Sequence, residues 1–150
     1  LGDVYKRQID DPNNPFRVGV FELDTPGHSI HDVWIEDGIA YSSNWSDGVV
    51  AVDIVAKKFQ ESDRSKAQFN PLLARAGDGS PANPVKLAEM GDPTGRNHAA
   101  FPFLSESTGN FYIIAGDENF PWGVMATQAK HSNPRGAYHF LNFSDNDNTK

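Results

Sequence analysis

Between residues 11 and 54 the chain is written in short apolar runs cut by turn residues. A cluster of Asp11, Pro12, Asn13, Asn14 and Pro15 precedes the β-branched and aromatic run from Phe16 to Leu23, a turn followed by a strand. After a second turn, "DTPGHS", the residues His31, Val33 and Ile35 alternate with Asp32, Trp34 and Glu36, the period-two pattern of a strand with two different faces. "EDG" is a hairpin signal, and "IAYSSNW" and "GVVAVDI" follow as two further strands around a turn at Ser46, Asp47 and Gly48. The pattern predicts strands near 16–23, 30–36, 39–44 and 49–54, joined as an antiparallel meander.

The same order of signals recurs. "NPVKLAEMGDPTGRNHAAFPF", from Asn83, corresponds to "NPFRVGVFELDTPGHSIHDVWI", from Asn14, and sets His98 opposite His31. "GNFYIIAGDEN" then falls opposite "GIAYSSNWSDG", with Tyr112 against Tyr41, and "RGAYHFLNFSD" falls opposite "DGVVAVDI". Strands are therefore expected again near 84–90, 98–103, 111–115 and 136–143. His31 and His98 are 67 residues apart, more than the roughly 40 to 50 of common four-stranded blades. The excess lies in residues 55–82, with a helix signal over Lys57 to Arg75 interrupted near Pro71; the second unit carries its own insertion, "FPWGVMATQAKHSNP", between its second and third strands. The expected fold is all-β, a partial β-propeller of four-stranded antiparallel blades with long inter-strand insertions. Residues 9–150 would hold the last strand of one blade (about 15–23), a complete blade (about 30–90) and an incomplete one (about 98–145). Residues 1–8 are set apart, because "DVYKRQ" reads as a translated sequencing adapter, a processing scar excluded from fold reasoning.

Composition narrows the function classes. A net charge of −7, with Lys and Arg scattered instead of gathered in a stripe, argues against a nucleic-acid partner. The absence of Cys removes disulfide scaffolds, thiolate metal sites and cysteine nucleophiles. No apolar run approaches the roughly 20 residues that span a bilayer.

The chain resembles the LVIVD-repeat family of bacterial and archaeal β-propeller proteins. The resemblance rests on "NPFRVGVFEL", "HDVWIEDGIAYSSNWSDGVVAVDI", "GDGSPANPV", "GRNHAAFPF" and "IAGDENF", in that order, over most of residues 9 to 145. It departs from the family after Pro121, where "GAYHFLNFSD" is less regular than "GVVAVDI". The resemblance implies an extracellular, periplasmic or cell-surface location, the remaining blades of a longer chain as partners, and an acid at the place of Glu118. For most of the family no activity is established.

Candidate chemistry centres on His31 and His98, which stand at the start of the expected innermost strand of each unit and would meet at one rim of the channel. Repetition in every unit is what a loop-pinning role predicts, each ring bonding nearby backbone. The alternative is a shared ligand site, since imidazole coordinates metals and hydrogen-bonds anions. The candidate binding residues on this rim are His31, Asp32, His98 and Glu118, and His31, His98, Asp117 and Glu118 are the candidate metal ligands. His28 with His31 makes H-x-x-H, but three-apart side chains on a strand face opposite ways, so His28 is assigned to the turn. Trp34, Trp45 and Trp122 fit either a sugar platform or packing between sheets. No nucleophile elbow, P-loop, H-E-x-x-H or dinucleotide fingerprint occurs, and "GDGSP" reads as a turn. The sequence therefore points to a binding or scaffolding module with no cofactor expected and its ligand unidentified, a protein or a small molecule being the open choices. The alternative is a metal-dependent propeller enzyme in which the rim His and carboxylate residues hold a divalent cation.

Overall fold

The computed structural model describes residues 11–55, 70–91, 96–118 and 138–144, together with the backbone of 4–8. Nine strands occur in it: β1 (Val4–Gln8), β2 (Phe16–Phe21), β3 (Asp32–Glu36), β4 (Ile39–Ser43), β5 (Val49–Asp53), β6 (Val85–Met90), β7 (Asn97–Leu104), β8 (Phe111–Asp117) and β9 (Tyr138–Asn142). Each of the eight expected strands is present, with ends within two residues of the expectation. The protein is all-β, and every pairing is antiparallel: β1-β2, β3-β4-β5-β6 and β7-β8-β9 form sheets of two, four and three strands.

Local chemistry explains the turns. Asp37 and Gly38 join β3 to β4 with φ of 52° and 81°, the paired left-handed residues of a two-residue hairpin whose twist matches the strands. The β7–β8 connection is longer. Ser105 N donates to Asn110 O at 2.9 Å and Gly109 N to Ser105 O at 2.8 Å, closing the loop on itself.

The central sheet is covered on both faces, and every residue of β4 and β5 is buried. Ile39, Tyr41, Val49, Ala51 and Ala88 form one core with Ala100, Phe111, Ile113, Ala115 and Leu141 of the third sheet. Ala40, Val50, Val52 and Ile54, on the opposite face, pack against Phe21 and Leu23 from the β2 region and against Val33. Burial on two sides is why "GVVAVDI" is a continuous apolar run without alternation. The far face of the third sheet is different: Phe101, Phe103, Tyr138 and Phe140 are exposed, and Phe140 meets both Phe103 and Tyr112 edge to face there.

Val4–Gln8, set apart on sequence, pairs with β2, because an open strand edge presents N–H and C=O groups that any extended backbone satisfies whatever its side chains. Two expectations are revised. Counted from the first pair of each hairpin, Glu36 with Ile39 and Leu104 with Phe111, the residue at Tyr41's place is Ile113, and Tyr112 lies one position off. The longer second loop shifts the count by one, and one residue exchanges the faces of a strand. Of the helix signal over 57–75, the described part is one 3-10 turn, Pro71–Ala74, begun by Pro at its first position and capped by Asn70 Oδ1 on Leu72 N at 3.0 Å. The rest of that signal lies outside the described residues. No helix among the described residues is long and apolar enough to cross a membrane.

Candidate functional site

The third sheet meets the second along β7, which packs against β3 and β4. At one end of this contact the backbones are joined directly: Trp45 N donates to Asn97 O at 3.1 Å and Asn97 N to Trp45 O at 3.0 Å. Trp45 belongs to the turn between β4 and β5, and Asn97 opens β7.

Three side chains converge beside this bridge. His31 precedes β3, held by its own N–H donating to Ser43 O at 2.8 Å. His98 is the extra residue of a β-bulge, since Asn97 pairs with Asp117 and Ala99 with Gly116. Glu118 follows β8 and donates its N–H to Arg96 O at 3.0 Å, continuing the ladder by one step. His31 Nε2 lies 2.7 Å from His98 Nδ1. Glu118 Oε2 lies 3.3 Å from His98 Nδ1 and 4.0 Å from His31 Nε2. Among the described residues these three form the group of potential metal ligands, their ligand atoms all within 4.8 Å of one another. Their side chains are 28%, 46% and 36% exposed, open enough for a solute to reach.

A nitrogen–nitrogen contact of 2.7 Å needs one N–H and one lone pair, so the two rings share a single proton between them as placed. Glu118 adds a second acceptor beside the same His98 nitrogen. The cluster therefore has more acceptors than protons. Nearby, the buried atoms Ser43 Oγ, Asn44 Oδ1 and Asn97 Oδ1 have no hydrogen-bond partner among the described residues, while the Asn44 and Asn97 amide groups donate to Ser42 and Gly48 carbonyls and to Ala99 and Gly116 carbonyls.

The expected loop-pinning bonds are not what these rings make: among the described residues neither histidine side chain bonds a backbone group, and each meets the other. Of the other candidates, Asp32 is exposed and its Oδ1 accepts from Val33 N at 2.8 Å, within its own strand. Asp117 turns into the protein, fully buried, 3.2 Å from His139 Nε2. Neither joins the cluster. His28 stays in its turn, with Nδ1 2.6 Å from Asp47 Oδ2, whose other oxygen accepts from Thr25 Oγ1 at 3.1 Å. Trp34 packs edge-on to Phe101 at 5.2 Å, while Trp45 packs on His31 at 4.1 Å between ring centroids; Trp122 lies outside the described residues. The sequence reading missed Trp45 and Asn97 as parts of the site. The signal available was a bulky residue inside the turn "NWSDG".

No protein-family model matches this chain, nor does any curated protein or solved structure.

Proposed function

We propose that this chain is a section of a β-propeller-type binding module that takes a divalent transition-metal cation through His31 Nε2, His98 Nδ1 and Glu118 Oε2. The observation that carries the reading is the convergence of these three ligand atoms from two sheets and positions 67 residues apart. Two imidazoles and one carboxylate suit zinc, copper or nickel better than calcium or magnesium, which prefer all-oxygen sets. Ligands bound tetrahedrally at about 2.0–2.1 Å sit roughly 3.3 Å apart. The present separations of 2.7, 3.3 and 4.0 Å straddle that value, so small side-chain adjustments suffice. Both rings must offer a lone pair to the cation, so the ring that donates in the present contact carries its proton on its other nitrogen when the cation is bound. The scaffold reading draws support from the stacked sheets and from the bare aromatic face of the third, on which a further sheet can pack. The surface location remains an implication of the family resemblance.

Titration calorimetry with zinc chloride tests this. One-to-one binding is expected, weakened roughly 30-fold or more in His31→Ala, His98→Ala and Glu118→Ala with circular dichroism unchanged. Zinc binding that is absent, or equally tight in the His31→Ala/His98→Ala double variant, refutes the site.

Exposure of the cluster favours a second, enzymatic reading, since three protein ligands leave a coordination position for water, as catalytic zinc sites do. Hydrolysis of an activated ester by the zinc-loaded protein, compared with zinc in buffer and with Glu118→Ala, decides it. Rates no greater than those of free zinc exclude that reading and leave the binding module.

A further inference from the structure

We infer that Trp45 is the positioning residue of this site, setting the separation of His31 and His98 from a backbone held in the left-handed region. The inference rests on the site proposed above and concerns what builds it.

Trp45 has φ of 52°. Bulky side chains rarely adopt that conformation, and holding one there strains the backbone. A turn alone does not require it. Gly48, three residues on in the same turn, has φ of 74° without a side chain to strain, so a glycine at 45 would make the bend more easily. What the tryptophan adds is its ring, tilted at 46° against the His31 imidazole with centroids 4.1 Å apart.

The same residue reaches the other half of the site through its backbone. Its N–H and C=O are both bonded to Asn97, immediately before His98 in the bulge. One residue thus touches His31 by its side chain and fixes His98 by its main chain, across the joint between two sheets. Asn97 is itself fully buried, and its amide group bonds Ala99 O at 3.1 Å, so the bulge that turns His98 toward His31 is tied from both sides. The indole also covers one side of the His31 ring.

Two substitutions separate this role from simple packing. Trp45→Gly removes the ring and relieves the backbone, whereas Trp45→Phe keeps an aromatic ring at the same strained position. Zinc affinity, measured by calorimetry on folded protein, is expected to fall roughly 10- to 100-fold in Trp45→Gly, the usual loss when a group orienting a ligand is removed. Trp45→Phe should stay within about threefold of the parent. A residue that only packs would alter the melting temperature and leave the zinc dissociation constant alone. Undiminished affinity in Trp45→Gly overturns the positioning role.

If the parent protein fails to bind zinc, the cation site falls, and the positioning role is decided without metal by nuclear Overhauser contacts between the His31 and His98 rings. Loss of these contacts in Trp45→Gly with retention in Trp45→Phe supports it. Their persistence in Trp45→Gly overturns it.

Discussion

Tyr41 brings a hydroxyl into the main core with none of its surface exposed, and Asn70 Nδ2 donates to that oxygen at 2.7 Å. Burial pushes the phenol well above its ordinary ionisation range, an effect the Asn70 bond only partly offsets. Removing the hydroxyl in Tyr41→Phe should cost about 1 kcal/mol, read from the urea midpoint, because the Asn70 amide loses its partner. The folded state holds the phenol proton that the unfolded chain releases above about pH 10, so stability falls as pH rises beyond that point. Lys86, raised by its bonds to Asp24 and then Glu89, acts in the same direction: its contribution is whole at neutral pH and lost as the amine deprotonates. Alkaline denaturation monitored by circular dichroism should therefore be shallower in Tyr41→Phe than in the parent. Asp53 has a different task. Its Oδ2 accepts from Gly77 N at 2.7 Å and Gly79 N at 2.8 Å, and its Oδ1 from Val55 N at 3.1 Å. This ties the "GDGS" turn to the end of β5. Asp53→Ala strands those donors, and a loss of about 2–4 kcal/mol in denaturant unfolding is expected. At this scale the sequence told which residue types mattered at the candidate site and that two of them recur. It did not reveal that a one-residue bulge and a strained tryptophan would bring them together, since neither follows from residue type or spacing.

Strands were the most legible elements, because alternation and turn residues act over a few positions and need no knowledge of partners. β4 and β5 were found as apolar runs for the same reason, although only the packing shows that both of their faces are covered. Register was harder to read. It depends on loop length, and the six residues 105–110 against the two of Asp37–Gly38 displaced the alignment of the second unit by one. β2 shows how closely elements approach: a Cβ on Gly19 would lie 2.2 Å from the Pro81 carbonyl oxygen. Gly19→Ala must move either β2 or the turn at 81–82, at a cost of about 2 kcal/mol or more. Hydrogen exchange is the sensitive readout. Val18 to Phe21 should lose protection in Gly19→Ala while β4 keeps its own, and equal protection in both proteins would contradict the close approach.

Among the described residues the middle sheet has neighbours on both sides and the third sheet has one exposed, aromatic side. Phe101, Phe103, Tyr138 and Phe140 are between 41% and 77% exposed there, next to the β9 edge. Such a face associates in water. Light scattering should show concentration-dependent oligomers, reduced in Phe103→Ser/Phe140→Lys without loss of the melting transition; a parent that stays monomeric at high concentration contradicts this. The bridge between Trp45 and Asn97 has a further consequence, for inheritance. A site assembled where two sheets meet belongs to neither sheet alone, so a recombination event that copies or swaps a single sheet carries half a site to a new neighbour. The unit of selection for this chemistry is the pair, and a lineage can gain or lose repeats freely only where the new junction again sets a histidine on each side.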